Sequence, residues 1–490
     1  MSKQIRSIEP KALWNNFADL NSVPRPSKKE AKVIAFIKKY GEGLGLETMV
    51  DKVGNIIIKK PASKGCEKAK PVILQGHIDM VAQKNNDTDF DFNTMGIKMY
   101  LDKEGWVRAK GTTLGADNGI GVAAIMAVLA DKKKKYPAIE ALFTIDEETG
   151  MTGAFALQPG LLDGTILLNL DSEDEDEVTI GCAGGVDVNI SHTYSQQSLS
   201  AKTKWTTLKL TVKGLKGGHS GMDIHRGRGN ANKILARILR RLTDEANVKL
   251  SSFDGGSLRN AIPREASAVI VLPTSKKKAV EALIEALTKE IKPEYQTTDP
   301  NLVIELEKAR KPKKVMKKAD QLNLLISLAA AWNGIFRMSP DVEGLVQTSN
   351  NVARVLVKNG QIEIACLTRG SVESEKMDCA NTVKAAFEWS GARVEFTGSY
   401  PGWAPDPKAK VNEILTKIYK KKYKKLPEIT ACHAGLECGI IKKQYPNVEM
   451  ISFGPNIRGA HSPDERVEVA SVKRFYALLQ DTLETLGKKK

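Results

Sequence analysis

A chain of 490 residues is too long for one ordinary hydrophobic core, and two or three domains are expected. The 41% hydrophobic and 27% charged residues are typical of a globular protein, and the six scattered cysteines have neither disulfide-framework nor zinc-knuckle spacing. A formal net charge of +16 is compatible with binding to nucleic acid or to an acidic membrane. The excess lysines, however, lie in short clusters typical of solvated turns and helix surfaces, which argues against such a binding surface. The N-terminal stretch lacks a signal-peptide pattern and no segment has the apolar length of a membrane helix, which predicts a cytoplasmic protein.

The first part of the chain alternates between helical and strand patterns. Helical periodicity covers residues 28–46, and a helix of small residues is expected from about Gly119 to Ala130. Strand patterns occupy residues 47–60 with a turn at 53–55, and then 72–75, 138–145 and 165–170. A further turn is expected at Gly184-Gly185. Alternating strands and helices predict an α/β domain, and strands this apolar indicate a sheet covered on both faces.

The pattern changes from about residue 188. The segment 206–215 alternates with period two, as a half-exposed strand does, and long amphipathic helices and further strands follow it. We interpret residues 188–399 as an inserted α+β lid domain made of two tandem β/α sandwich units. Residues 1–187 and 400–490 would then form one catalytic domain. The predicted fold class is therefore α/β, with a mixed, mostly parallel sheet flanked by helices and an inserted lid.

Several apolar strands of the predicted catalytic domain end in side chains that can bind metal ions. These are His77 and Asp79 after "VILQG", Asp146-Glu147-Glu148 after "ALFTI", Asp171 after "ILLNL" and His461 beyond "MISFGP", together with Asp117 in a glycine-rich loop. Ligands of an open α/β sheet bind beyond the carboxyl ends of its strands, so we expect these groups to meet at one edge of the sheet.

Each group alone has an ordinary explanation, such as a structural histidine, a helix N-cap or a solvated helix start. Together, however, several carboxylates at one edge repel strongly unless cations balance them. Mixed histidine and carboxylate ligands suit zinc, manganese or cobalt, whereas calcium prefers oxygen alone. Two ions about 3.5–4 Å apart can share one carboxylate and a bridging hydroxide, and a glutamate that is not a ligand can take the proton of the attacking water. Asp79 lies close to His77 in sequence and can orient its second ring nitrogen.

A series of short motifs extends these observations over essentially the whole chain. In order they are "GHIDMV", "GTTLGADNGIG", "DEETGMTGA", "NLDSED", "GCAGG", "KGGHSG", "NAIP", "HAGLECG" and "GAHSPDE". Through them the sequence resembles the aminoacyl-histidine dipeptidases, also called Xaa-His dipeptidases or the peptidase D group. That group belongs to the di-zinc peptidase family that includes carnosinase, peptidase T and aminoacylase.

The resemblance implies a role for each candidate metal ligand. It assigns one cation to His77 and Asp171, the other to Glu148 and His461, and the bridging position to Asp117. Glu147 is similar to the family's general base, and Asp79 to its supporting carboxylate. The cofactors implied are two divalent ions, zinc with cobalt or manganese as alternatives.

The resemblance also implies substrate-binding residues in the lid. His219, in "KGGHSG", matches a histidine that contacts the scissile carbonyl oxygen, often from the partner subunit; its flanking glycines would allow close approach to an oxyanion. Arg369 matches an arginine that receives the substrate's terminal carboxylate, and Asn260 matches a substrate-contacting asparagine. His433 is a further candidate for the pocket. The sequence departs from the family in one respect: the run 171–177 is more acidic than the family's pattern, through Asp176 and Glu177, and it is expected to favour cationic substrates or to bind cations.

The predicted function is that of a cytoplasmic di-metal dipeptidase that hydrolyses Xaa-His dipeptides of the carnosine type, with room for a broader specificity. A tripeptidase, a carboxypeptidase or an N-acyl amino-acid hydrolase would share the same metal ligands and stays open. A basic nucleic-acid-binding protein is the remote alternative, and it lacks a groove-reading motif. The expected partners are small dipeptides and a second copy of the chain bound through the lid, with neither nucleic acid nor membrane.

Overall fold

The computed structural model describes residues 3–488, which divide into two compact units. The first unit comprises the chain up to Gly181, the segment Pro405–Ala431 and the chain from Leu436 onward. The second comprises Cys182–Ala404 and the short segment Cys432–Gly435. The sequence did not indicate this short return to the second unit, and the domain limits 1–187, 188–399 and 400–490 stay a prediction.

Helices and strands alternate along the chain up to Cys182. The helices are α1 (Lys3–Arg6), α2 (Lys11–Leu20), α3 (Ala31–Gly43), α4 (Ala116–Ala130), α5 (Glu147–Gly150) and α6 (Thr152–Ala156). The strands are β1 (Glu47–Val50), β2 (Ile56–Lys60), β3 (Val72–His77), β4 (Met99–Leu101), β5 (Trp106–Ala109), β6 (Ile139–Thr144), β7 (Ile166–Asn169) and β8 (Glu177–Cys182). The predicted helices and strands of this region are present within a few residues of their expected limits, whereas the short strands β4 and β5 were not predicted.

Strands dominate the chain between Gly184 and Tyr400. They are β9 (Gly184–Thr193), β10 (Gln196–Ser198), β11 (Trp205–Lys213), β12 (Gly218–His219), β13 (Lys249–Gly255), β14 (Ala261–Ile262), β15 (Ala266–Pro273), β16 (Val303–Lys308), β17 (Lys314–Met316), β18 (Gly334–Met338), β19 (Val346–Lys358), β20 (Gln361–Gly370) and β21 (Arg393–Tyr400). The helices are α7 (Ala231–Ala246), α8 (Lys277–Glu294), α9 (Lys318–Ala330) and α10 (Glu373–Glu388).

The turn predicted at Gly184-Gly185 is wrong, because both glycines lie in β9. A Cβ atom at Gly184 would lie 2.4 Å from the carbonyl oxygen of Tyr400, and one at Gly185 would lie 2.7 Å from the Tyr400 ring. The glycines therefore allow another segment to pack closely against a strand, which is a recognised use of glycine within a sheet.

The chain after Tyr400 returns to an alternation of helices and strands. The helices are α11 (Lys410–Tyr423), α12 (Glu437–Gln444) and α13 (Val469–Gly487). The strands are β22 (Glu428–Cys432), β23 (Glu449–Ser452), β24 (Ile457–Arg458) and β25 (Arg466–Glu468).

The main sheet of the first unit is mixed. In the described chain its strand order is β1-β2-β6-β3-β7-β23-β8-β22. The four central strands β6, β3, β7 and β23 are parallel, whereas the pairs β1–β2, β2–β6 and β23–β8 are antiparallel. The expected parallel pairing is thus present in the centre of the sheet. Every residue of β3 and β6 is buried, which explains their continuous apolar sequences. The carboxyl ends of the four parallel strands meet at one edge.

The main sheet of the second unit has the order β16-β11-β15-β13-β19-β20-β9-β21, with β18 paired to β19, and the described chain also forms the two-stranded sheets β10-β17 and β12-β14. Its strand pairs are antiparallel. Apolar residues of this sheet and of α7, α8, α9 and α10 form a single buried cluster. Both of the predicted sandwich units would thus share one sheet and one core, and their relation by an internal repeat stays a prediction.

Candidate active site

The carboxyl edge of the parallel strands brings together side chains that are far apart in sequence. His77 is the last residue of β3, and Asp171 lies two residues beyond β7. Asp146, with φ of 52°, follows β6 in a left-handed conformation and precedes Glu147-Glu148 in α5. Hydroxyl groups of Thr149 and Thr152 donate to the Asp146 carboxylate and hold this turn. A short turn can thereby deliver two adjacent glutamates to the end of the strand.

Asp117 stands between the two histidines. Its Oδ1 atom lies 3.1 Å from Nε2 of His77, and its Oδ2 atom lies 3.2 Å from Nε2 of His461. His461 has φ of 63°, a left-handed conformation that is costly for a residue with a side chain and is characteristic of functional sites. The two histidines differ in exposure, at 1% for the His77 side chain and 56% for His461.

Two overlapping groups of side chains around Asp117 are suited to hold metal ions. His77, Asp117 and Asp171 form one group, in which Nε2 of His77 lies 3.4 Å from Oδ1 of Asp171. Asp117, Glu148 and His461 form the other, in which Nε2 of His461 lies 3.0 Å from Oε2 of Glu148. Within residues 3–488, Oε1 of Glu148 is buried without a hydrogen-bond partner. A buried carboxylate oxygen is costly without a partner, so this atom fits the binding of a cation.

The charges of this cluster are strongly perturbed. Burial raises the pKa of Asp171 to about 6 and the pKa of Glu147 well above its ordinary value. Hydrogen bonds with Asp117 and Glu148 raise the pKa of His461 to about 11. Burial disfavours a charge on His77, yet Asp171 and Asp117 raise its pKa well above the usual value. The close packing of these carboxylates favours positive charge among them, and divalent ions can supply it in place of protons.

Asp79 connects two of the loops at this edge. Its Oδ1 atom lies 3.3 Å from Nδ1 of His77 and accepts a hydrogen bond of 3.1 Å from the backbone N–H of Glu147. Its Oδ2 atom accepts from the Ser27 hydroxyl at 2.8 Å and from the Glu148 N–H at 3.3 Å. A single buried carboxylate therefore faces the His77 ring and fixes the start of α5. Glu30 and Asp146 lie close to Asp79, and the three carboxylates form a further acidic group.

The predicted substrate-binding residues lie in the second unit. Nδ1 of His219 accepts hydrogen bonds from the N–H groups of Gly221 (3.2 Å) and Met222 (3.0 Å). Burial and the nearby Arg369 lower the pKa of His219, so the ring is neutral and carries its proton on Nε2. That N–H is a hydrogen-bond donor held in a fixed direction.

Arg369 is buried beside His219. Its Nη1 atom donates to the Tyr400 hydroxyl at 3.0 Å, its Nη2 atom lies 3.5 Å from Nε2 of His219, and its Nε atom has no partner. Among the described residues it forms no ion pair, which is unusual for a buried guanidinium and fits the recognition of an anion. Asn260 contributes its backbone carbonyl, which accepts from the Ser220 N–H at 2.7 Å, while its side chain is exposed.

His433 belongs to the second unit, like His219 and Arg369. Its Nε2 atom lies 2.8 Å from the Ser349 hydroxyl, and burial lowers the pKa of the ring to about 3. His433 is therefore a neutral, buried ring that accepts or donates a hydrogen bond without carrying charge. Ser349 and Tyr400 were not predicted, since a hydroxyl on a strand gives no signal until its neighbours are known.

Three of the six carboxylates in the acidic run 171–177 pair with basic side chains from distant segments. Asp174 pairs with Arg458 at 2.6 Å, Glu175 with Arg474 at 2.5 Å and Asp176 with Lys425 at 2.7 Å. These contacts balance three of the carboxylates, and the expectation that the run favours cationic substrates or binds cations stays a prediction.

The arrangement is that of an α/β protein with a candidate two-cation centre at the carboxyl edge of its sheet. The chain belongs to peptidase family M20/M25/M40, whose model matches residues 73–485. It is accordingly a peptidase of the hydrolase class, and its candidate metal ligands agree with a metallopeptidase. Within residues 3–488, no helix is both long enough and apolar enough to cross a membrane.

Individual relatives cover almost the full chain. The sequence is 42% identical over 486 residues to the cytosol non-specific dipeptidase of Escherichia coli (strain K12), covering 99% of this chain and 100% of the relative. The structure resembles the crystal structure of an aminoacylhistidine dipeptidase from Vibrio alginolyticus, with a TM-score of 0.95, 44% identity and 99% of each chain covered. The aminopeptidase PepT from Bacillus cereus shares the fold, with a TM-score of 0.57, 18% identity, and 98% of this chain and 99% of that chain covered.

Proposed function

We propose that this protein is a dipeptidase that releases a C-terminal histidine from Xaa-His dipeptides and accepts other dipeptides less efficiently. The activities named for the Escherichia coli and Vibrio alginolyticus relatives, each more than 40% identical, support a dipeptide substrate. The histidine preference is supported by the aminoacylhistidine relative and by the motif resemblance. The non-specific relative supports the broader range.

The observation that carries the proposal is the position of the Asp117 carboxylate between two histidines, with Oδ1 at 3.1 Å from one ring and Oδ2 at 3.2 Å from the other. A carboxylate in this position would be able to hold two cations at once. We assign His77 and Asp171 to one cation, Glu148 and His461 to the other, and Asp117 to both. Two nitrogen and three carboxylate ligands favour zinc, with cobalt and manganese as alternatives.

The chemistry follows from what the protein's own side chains can do. Bound divalent cations would lower the pKa of a water molecule and polarise the scissile carbonyl group. Glu147, as the general base, takes the proton of the attacking water and delivers it to the departing amine nitrogen, which leaves with the C-terminal amino acid. Burial raises the pKa of Glu147 and so strengthens it as a base. Asp79, 3.3 Å from Nδ1 of His77, holds that ring in its orientation.

We assign substrate binding to residues of the second unit. His219 presents an Nε2–H donor suited to the carbonyl oxygen as it gains negative charge, and its neutral state avoids a transfer of a proton to that oxygen. Arg369, which is buried and has no ion pair within residues 3–488, is suited to the terminal carboxylate of a dipeptide. Asn260 is assigned a contact with the substrate on the resemblance alone.

The decisive experiment is a substrate panel. Protein loaded with Zn²⁺ is incubated with a library of dipeptides, tripeptides and N-acetyl amino acids, and the products are identified by mass spectrometry. We expect dipeptides to be cleaved, with Xaa-His among the best. Preferred cleavage of tripeptides or of N-acetyl amino acids would instead assign the chain to one of those activities. Inactivity towards all three classes, with two ions bound, would contradict the proposal.

We infer further that the protein is cytosolic and forms a homodimer through residues 188–399. The name of the Escherichia coli relative supports the location. The dimer rests on the motif resemblance, and light scattering coupled to size-exclusion chromatography tests it. A mass near 53.6 kDa, that of one chain, would contradict it.

A further inference from the structure

The loop that carries Asp117 is held by a buried carboxylate from a distant part of the chain. Glu465, which is 2% exposed, accepts hydrogen bonds from four successive backbone N–H groups. Its Oε2 atom accepts from Leu114 (2.7 Å) and Gly115 (2.9 Å), and its Oε1 atom accepts from Ala116 (2.7 Å) and Asp117 (3.2 Å). Converging N–H groups of this kind form a nest for an anion. Here the chain's own glutamate fills it.

The guanidinium group of Arg25 is buried and donates to backbone carbonyl groups of the same loop and of a neighbouring segment. Arg25 is 1% exposed, and its Nη1 atom donates to the carbonyl oxygens of Ile78 (3.2 Å) and Asp79 (3.0 Å). Its Nη2 atom donates to the carbonyl oxygen of Gly115 at 2.5 Å. Gly115 has φ of 67°, and a Cβ atom there would lie 2.5 Å from Nη2 of Arg25, so the loop conformation and the close approach both require glycine.

These contacts connect three loops that carry the proposed ligands. Glu465 lies four residues after His461 and binds the backbone of Asp117. Arg25 joins the same loop to the segment immediately after His77. The side chains of Arg25 and Glu465 therefore act on the backbone of the ligand loops, and without them four N–H groups and three carbonyl groups would lose buried partners.

We propose that Glu465 and Arg25 are positioning residues that set the side chain of Asp117 midway between His77 and His461 for the binding of a second cation. This inference rests on the proposed two-cation centre. A shared carboxylate must satisfy two ions at once, so a small displacement of its backbone lengthens one of the two contacts. Loss of either positioning residue should therefore weaken binding of one ion more than binding of the other.

The test is a cobalt titration of the full-length protein, followed by absorption spectroscopy in the visible region. Glu465→Gln keeps the shape of the side chain but turns an amide NH₂ toward two N–H donors. We expect the weaker Co²⁺ site to lose about 10–100-fold in affinity, as for other groups that orient metal ligands, with a changed cobalt spectrum. We also expect kcat to fall more than KM rises. The control is Asp464→Asn, the same loss of charge at the adjacent exposed position, and we expect it to titrate like the unmodified protein.

The outcomes separate this inference from the proposed function. Failure of the unmodified protein to bind two Co²⁺ ions would overturn the two-cation centre itself. Two ions bound to folded Glu465→Gln with unchanged affinity and spectrum would overturn only the positioning role, as would an equal effect of Asp464→Asn. If Glu465→Gln does not fold, Arg25→Lys, which keeps the charge but loses the planar fork, is titrated in the same way. Loss of folding in both variants would assign these residues to stability and overturn the inference.

Discussion

Replacement of Glu147 by glutamine separates the proposed base from the proposed ligands. The backbone N–H of residue 147, which donates to Asp79 at 3.1 Å, is unchanged by the substitution, and the amide has the shape of the carboxylate. The amide cannot accept a proton, so the rate should fall by about 10²–10⁴, the usual contribution of a general base. This loss corresponds to about 2.7–5.4 kcal/mol in activation free energy.

The assay combines steady-state kinetics on an Xaa-His dipeptide with the metal content of the same sample. For Glu147→Gln we expect kcat to collapse, KM to change little and two ions to remain bound. Glu148→Gln is the contrasting variant, because Oε2 of Glu148 lies 3.0 Å from Nε2 of His461 and the ion on that side should be lost. A kcat within tenfold of the unmodified enzyme would refute the base assignment. Loss of an ion from Glu147→Gln would make Glu147 a ligand, which the group His77, Glu147 and Glu148 permits geometrically.

Three further predictions use other parts of the site. Chelation of the bound ions should abolish activity and lower Tm, because the carboxylates then repel each other, and Zn²⁺ should restore both; activity of verified metal-free protein would contradict the cation proposal. Arg369→Lys should raise KM for dipeptides by roughly 10–150-fold, because hydrogen bonds to a charged group contribute about 1.5–3 kcal/mol to binding. KM for dipeptide amides, which lack the terminal carboxylate, should not change. An equal rise for both substrates would exclude carboxylate recognition by Arg369. Burial raises the pKa of Glu437 to about 8 from 4.5, so between these pH values the folded state keeps a proton that the unfolded chain releases. The free energy of unfolding should therefore fall as pH rises from 4.5 to about 8. Glu437→Gln should flatten the slope of Tm against pH in this range, and an unchanged slope would contradict the role of Glu437.

The strands and the positions of the candidate ligands could be predicted from the sequence because both depend on local patterns. A continuous apolar run such as Val72-Ile73-Leu74 indicates a strand covered on both faces, and the rule that ligands lie beyond parallel strands then places His77 and Asp171. The sequence pattern could not show that the flanking strands β1 and β8 pair in the antiparallel sense, because composition does not determine which strand a given strand pairs with or in which register.

Contacts between distant segments could not be predicted from the sequence. Glu465 lies within the quoted motif "GAHSPDE", yet its role depends on where the N–H groups of residues 114–117 point. The ion pairs of the acidic run could not be predicted, because the partners Arg458, Arg474 and Lys425 come from segments about 250–300 residues later. Arg25 lies between two prolines, Pro24 and Pro26, and this local pattern does not indicate that its side chain is buried.

The unequal exposure of the two histidines has a consequence for how the centre fills and empties. With His77 at 1% and His461 at 56% exposure, solvent and competing chelators reach one side of Asp117 far more easily than the other. Under zinc scarcity the proposed pair of ions would therefore be lost one after the other, and a half-loaded protein would persist between the two steps. Enzyme output would then follow the supply of the more loosely held ion, while the inner one remained as part of the fold.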